Sequence, residues 1–250
     1  MRLYAGCGGW DHHNWNDGRF YPKGLDADEY LSYYGSIFNC VEIDSTFGGA
    51  PDRFTTIRWS RLAADGLMFT ARFPKAITFE KRQGRPVTEV EEFLEAMGPL
   101  SEKLLAFLIT IPPSLSFNNG FEKIKDLIPL LDRNYRYAIE SSHESWFTKE
   151  FYRYLSENNL CLAWTQTEEF HAPPQTTTDF VYIRFTGRPS MQDVNAMRTQ
   201  KSRSSELKIW ASRLKMAQKK LEFAIVAADN HFGGFGPATV KEFKKMLLPA

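Results

Sequence analysis

A chain of 250 residues suits one large domain or two small ones, and 43% apolar with 24% charged residues is the balance of a globular protein with a sizeable core. A net charge of +1 excludes a global field steering the chain to nucleic acid or to an anionic membrane. No apolar run approaches the roughly 20 residues of a membrane span, MRLYAGCGGW is no secretory leader, and Cys7, Cys40 and Cys161 fit no metal-ligand spacing, so buried thiols in a cytoplasmic protein are expected.

RLYAG (2–6) reads as a first strand. After it, residues 7–25 set Trp10, Trp15, Phe20 and Tyr21 among glycines, histidines and aspartates with no helical or alternating period, which is a loop. Residues 26–38 place Tyr30, Leu31, Tyr34, Ile37 and Phe38 on one helical face. A second strand at 39–44 precedes a helix over 51–63 with Pro51 in its first turn. The third strand is 67–73, and Thr88-Glu89-Val90-Glu91 is a capping box opening a helix with Val90, Phe93, Leu94 and Met97 inward. KLLAFLI (103–109) is apolar nearly throughout, as a strand buried on both faces should be.

Phe121 to Leu131 mark the next helix, 135–140 the fifth strand, and Trp146, Phe147, Phe151, Tyr154 and Leu155 the helix behind it. The sixth strand (161–165) runs into the proline- and threonine-rich TEEFHAPPQTTT, with no clear helix. The seventh strand (180–185), a helix through Leu207, Trp210, Leu214 and Leu221, the eighth strand (223–228) and a helix opened by Pro237 complete the chain. Eight strands nearly all separated by helices predict an α/β fold: one (β/α)8 TIM-type barrel domain over residues 1–250, irregular between strands six and seven. A doubly wound sheet would show fewer strands and a G-x-G-x-x-G turn, which Gly6-Cys7-Gly8-Gly9 lacks.

Barrel active sites lie on the loops after the strands. That rim receives Trp10, Trp15 and Tyr21 from the first loop, then Glu42, Asp44, Arg72, Lys75, Glu140, His143, Gln166, Arg184, Asp229, Asn230 and His231. Charges at buried strand ends are costly unless paired, so Glu42, Arg72, Glu140 and Arg184 are the informative ones.

The ordered motifs GCGGWDHHNW, GRFYPKGL, VEIDSTFGGAP, IPPSL, AIESSHESWF, DFVYIRFTGR and DNHFGG span essentially the whole chain. On them the sequence resembles the YecE-like family, domain-of-unknown-function family 72. The resemblance implies a TIM-type barrel and no established reaction. It maps the family's common positions onto Trp10, Trp15, Tyr21, Pro22, Glu42, Glu140, His143, Trp146, Arg184, Gly187 and Asn230. Departures from the family pattern fall at Gly48, Arg72, Phe79, Thr110, Ser141-Ser142, Thr186 and Asp229, and imply a retuned site.

A metal site is not expected: His12, His13, His143, His171 and His231 lack ligand spacing. Glu42 and Glu140 could face each other as a glycosidase pair does, yet Arg72 and Arg184 beside them would hold both ionised, which suits no general acid. The favoured reading is a metal-independent and cofactor-free enzyme, a hydrolase or lyase. Arg72 and Arg184 would fix a small carboxylate or phosphate, Glu42 or Glu140 would act as base, and Trp10, Trp15, Tyr21, His143, Asp229 and Asn230 would line the pocket under a lid at 186–204. The aromatic loop could equally be a rigid plug packed by its own rings. The alternative is a nucleic-acid module stacking bases on that loop. Its basic loops would be 74–87 (Lys75, Lys81, Arg82, Arg85 against Glu80) and 186–204 (Arg188, Arg198, Lys201, Arg203 against Asp193).

Overall fold

The structure is a computed structural model describing residues 1–16, 18–78, 86–187 and 199–248. All neighbouring strands run parallel, as helical crossovers demand. In chain order they are β1 (Arg2–Gly8), β2 (Cys40–Ile43), β3 (Met68–Arg72), β4 (Leu104–Thr110), β5 (Tyr137–Glu140), β6 (Cys161–Leu162), β7 (Trp164–Gln166), β8 (Phe180–Phe185) and β9 (Phe223–Ala228). The sheet order is β6-β5-β4-β3-β2-β1-β9-β8-β7. Its two ends, β6 and β7, are the halves of the expected sixth strand, interrupted at Ala163. Chain continuity therefore closes what strand pairing leaves open, and the result is a nearly closed barrel. Nine segments arise from eight because Ala163 donates to the Ile139 carbonyl on β5 (2.9 Å), while Trp164 onward pairs with β8.

Around the barrel lie α1 (Tyr30–Ile37), α2 (Arg53–Leu62), α3 (Lys75–Thr78), α4 (Pro86–Met97), α5 (Phe117–Leu127), α6 (Lys149–Glu157), α7 (Ser204–Ala217), α8 (Asn230–Gly233) and α9 (Gly236–Leu247). As expected, no helix occupies 167–179. Several boundaries differ from the sequence reading, among them α2, which begins at Arg53 behind the Asp52 cap and leaves Pro51 outside its first turn. α4 opens at Pro86, whose fixed φ suits a first turn, so Thr88 lies inside the helix instead of capping it. Trp146 and Phe147 precede α6, which Thr148 caps by accepting from the Phe151 N–H (3.2 Å). Leu221 lies beyond α7.

Period-two alternation divides each strand between two cores. Outward residues such as Val41, Phe69, Phe107, Ile139 and Ile183 pack under the helices. Inward residues Cys40, Ala106, Leu108, Ala138, Tyr182 and Ile225 fill the barrel. The same alternation carries Glu42, Arg72, Thr110, Glu140, Thr165 and Arg184 to the inner wall at the carboxyl ends of their strands. All three cysteines are buried and free, and burial pushes each thiol pKa far up. Among the described residues no helix is long and apolar enough to cross a membrane.

Candidate functional site

Arg184 is the centre of the barrel's upper layer. Its Nε and Nη2 donate to Glu42 Oε2 (3.0 Å) and Oε1 (2.6 Å), and its Nη1 donates to both oxygens of Glu140 (2.9 Å each). The three side chains are nearly sealed, Glu42 at 1% exposure, Glu140 at 3% and Arg184 at 7%. The carboxylates have further donors. Tyr182 donates to Glu42 Oε2 (2.5 Å), Thr110 to Glu140 Oε2 (3.0 Å) and Thr165 to Glu140 Oε1 (2.8 Å). Thr70 supports the Tyr182 hydroxyl at 2.6 Å. A buried guanidinium with all three nitrogens engaged and carboxylates saturated by planar donors is the geometry in which buried charge is tolerated.

Above this layer the charged groups open outward. Arg72 lies 3.7 Å from Asp44 Oδ1, donates to Thr110 at 3.3 Å, and stacks over the Phe47 ring at 3.7 Å. Asp44 is also 3.8 Å from Arg184, beyond hydrogen-bond reach, and its side chain is 36% exposed against 17% for Arg72. Arg72 Nε and Asp44 Oδ1 each lack a hydrogen-bond partner. Adjacent orphans of opposite kind, one donor and one acceptor, are where a ligand or ordered water is expected.

The electrostatics separate the two β2 carboxyls. Burial opposes ionisation of Glu42, but Arg184 and hydrogen bonding from Asp44 bring it down to about 2. Burial and the neighbouring Glu42 carboxylate push Asp44 well above the usual range, outweighing Arg184 and Arg72. Arg184 has little charge to spare for Asp44, being neutralised at 2.6–3.0 Å by its own partners. Two neighbouring carboxyls are thus pushed in opposite directions, Glu42 toward the ionised form and Asp44 toward the protonated one.

The other sequence-selected residues hold the rim together. Trp15 is buried, lies parallel to Tyr34 (6.3 Å, 4°) and donates from Nε1 to Asn230 Oδ1 (3.1 Å). Asn230 Oδ1 also accepts from the Gly236 N–H (3.0 Å). Tyr21 stacks on Tyr30 (4.2 Å, 8°) and donates to the Trp10 carbonyl (2.5 Å). The opening loop is thus an aromatic plug. Asp229 caps α8 through the His231 and Phe232 N–H groups and accepts from the Thr186 hydroxyl; burial raises its pKa against that hydrogen bond. His143 Nδ1 accepts from the Ser145 N–H (3.2 Å).

Trp10, from the opening loop, borders a cavity. It has a volume of about 510 Å³, lies between the first loop and α1/α2, and is lined by Trp10, His12, Leu31, Asp44, Trp59 and Leu62 among others. Asp44 belongs both to this cavity and to the charged layer. A hollow of about 570 Å³ on the barrel flank, beside Trp164, Thr176 and Arg213 where residues 167–179 form no helix, is larger and lacks such a layer. Most of the two basic loops and of the expected lid falls at 79–85 and 188–198, outside the described residues, as do Phe79, Lys81, Arg82, Arg85, Arg188 and Arg198.

Tyr182, Thr165 and the acid role of Asp44 escaped the sequence reading, and Thr110 was noted only as a departure from the family pattern. A usable signal existed: Tyr182 is two residues before Arg184, and Asp44 two after Glu42, which places each pair on one face of its strand.

The family model described as "Protein of unknown function DUF72" matches residues 4–250. The UPF0759 protein YunF of Bacillus subtilis is 22% identical over 98% of this chain and 94% of its own length. The UPF0759 protein YecE of Escherichia coli K12 is 26% identical over 150 residues, and the match spans 59% of this chain and about half (51%) of that relative. A solved DUF72 family protein from Thermotoga maritima superposes with a TM-score of 0.83 over 99% of both chains at 26% identity. One from Enterococcus faecalis gives 0.80 over 99% of this chain and 96% of its own at 19% identity.

Proposed function

The chain belongs to the DUF72 family, and from that premise we propose that it is an enzyme acting on a small anionic substrate, a carboxylate or a phosphate, at the C-terminal mouth of its barrel. One observation carries the reading: Arg72 Nε and Asp44 Oδ1 are buried atoms without a hydrogen-bond partner, on two partly exposed side chains that approach to 3.7 Å through Arg72 Nη1 beside the charged layer. A ligand oxygen accepting from Arg72 and a ligand hydroxyl donating to Asp44 would satisfy both.

Roles follow from saturation. Arg184 spends four of its five N–H donors on Glu42 and Glu140 and is neutralised by them, so anion anchoring moves outward to Arg72. Glu42 and Glu140 are sealed and their oxygens already accept from Arg184, Tyr182, Thr110 and Thr165, so they form the fixed floor of the site, and the Glu42 charge pushes Asp44 toward its protonated form. The same occupied oxygens make them poor metal ligands. Asp44 is the acid, and Trp10 a wall of the adjoining cavity. The rings of Trp15, Phe20 and Tyr21 are spent on internal packing, which leaves only Trp10 for base stacking, so the nucleic-acid alternative loses most of its platform.

The test is thermal unfolding against a panel of carboxylates and phosphates. A ligand at tenfold its Kd adds about 1.4 kcal/mol, a shift of about 3–6 °C for a chain of this size. Arg72→Gln should abolish the shift. Persistence of the shift in that variant would remove Arg72 from the site.

A further inference from the structure

The anion reading leaves one half-buried titratable group of the mouth without a role, His12. Its ring lines the same cavity as Asp44. Its Nε2 lies 2.6 Å from the Gly8 carbonyl oxygen. A carbonyl only accepts, so Nε2 carries the proton and the lone pair is on Nδ1. Trp15 packs on the ring with centroids 4.5 Å apart at 47°, which holds the imidazole in this orientation.

Asp44 meets the same backbone point: a Cβ on residue 8 would lie 2.5 Å from its Oδ2. Glycine at position 8 is what lets the carboxyl and the imidazole converge. Burial keeps His12 below the usual imidazole pKa, opposed by its Gly8 hydrogen bond and by Asp229 and Asp11, with His231 acting in the same direction as burial. An imidazole of fixed tautomer, held below its ordinary pKa, thus shares one cavity with a carboxyl held above its own.

We propose that this cavity is a proton-transfer site for a carbonyl compound bearing an anionic group, with His12 as base and Asp44 as acid. His12 Nδ1 takes a proton from the carbon next to the carbonyl. The C–H electron pair becomes the carbon–carbon π bond of an enol, the carbonyl π pair moves onto oxygen, and Asp44 supplies the proton that oxygen receives. Reversal returns a proton to the same carbon and restores both side chains, so no co-reactant is consumed. A protonated carboxyl donating to a developing enolate needs a site that keeps it neutral at working pH, and the ionised Glu42 next to it does so. This inference rests on the anion reading, since Arg72 holds the anionic group.

The experiment incubates the full chain in D2O with dihydroxyacetone phosphate, pyruvate or dihydroxyacetone. Proton NMR follows loss of the C–H signals beside each carbonyl, with thermal unfolding in parallel. At least one anionic probe should exchange faster than in buffer, and faster than dihydroxyacetone, which lacks the anion. His12→Gln should slow exchange about 10²–10⁴-fold while that probe still shifts the unfolding temperature, and Asp44→Asn should slow it likewise. Should His12→Gln not fold, carbethoxylation of wild-type His12 by diethylpyrocarbonate, blocked by the bound probe, replaces it; no modification there overturns the role of Nδ1 as base. Binding without exchange overturns proton transfer and leaves the anion site standing. Exchange unchanged in His12→Gln overturns the base. Neither shift nor exchange with any probe overturns both readings.

Discussion

Replacing Arg184 with methionine tests whether the barrel's upper layer is held as described. The change keeps much of the side chain's volume and removes the cation, leaving Glu42 and Glu140, at 1% and 3% exposure, without their counter-charge. Breaking a buried pair costs about 3–5 kcal/mol. The Glu42 shift gives an independent figure: from 4.5 to about 2 in the folded state, at 1.36 kcal/mol per unit, is about 3 kcal/mol. Urea unfolding at pH 7 should show this loss, with a drop in Tm of about 6–20 °C.

The pH dependence carries the sign. A depressed carboxylate stabilises above its unfolded pKa, so the wild type loses the Glu42 contribution as pH falls from about 4.5 toward 2. The raised Asp44 works oppositely, its contribution being present at low pH and lost as pH rises through its folded pKa. In Arg184→Met, Glu42 is forced to protonate in the fold, and that cost fades once the unfolded chain also protonates it. The deficit should shrink by roughly half or more between pH 7 and pH 4. Adding Glu42→Gln and Glu140→Gln should recover most of it, because no uncompensated charge remains. A deficit below about 1 kcal/mol at pH 7, or one equal at both pH values, would refute the reasoning.

Trp15→Ala removes a buried ring and its bond to Asn230, so it should cost about 3–5 kcal/mol in urea unfolding; if Trp15 were instead a stacking platform, stability would hold and single-strand binding would fall. Tyr182→Phe removes a donor to Glu42 and should destabilise by about 1–3 kcal/mol at pH 7, checked by the same unfolding curves. Gly6→Ala would place a Cβ 1.6 Å from the Cys40 carbonyl oxygen, so loss of soluble folded protein, or more than about 4 kcal/mol, is expected. The three thiols should be inert to an aromatic disulfide reagent in the native state and all react in denaturant, read by absorbance.

The barrel was legible because a strand buried on both faces reads as an apolar run; Phe180–Phe185 and Phe223–Ala228 match their expected bounds. The polar residues interrupting such runs, Glu42, Arg72, Glu140 and Arg184, announced the charged layer. Their roles were not legible. Whether a buried arginine serves a substrate or its neighbours depends on how many carboxylate oxygens reach it, and Thr110 and Thr165 look in sequence like ordinary strand residues. The loop at 7–25 was recognisable as aromatic and irregular, but whether it lines or plugs depends on Tyr34 and Tyr30 rising from α1 to meet Trp15 and Tyr21. The break at Ala163 depends on which neighbouring strand claims each half, a long-range choice. His12 was weighed only as a metal ligand, because a hydrogen bond to the carbonyl four residues earlier leaves no mark in composition or period.

The central claim is that ligand chemistry belongs to the open edge of the charged layer and not to its saturated centre. Crystals of the protein soaked in a mixture of small carboxylates and phosphates test this most directly. The account predicts density for an anion within hydrogen-bond distance of Arg72 Nε and Asp44 Oδ1, with the Arg184–Glu42 and Arg184–Glu140 contacts unbroken. An anion seated on Arg184 in place of either glutamate, or ordered only in the flank hollow beside Trp164, would contradict it.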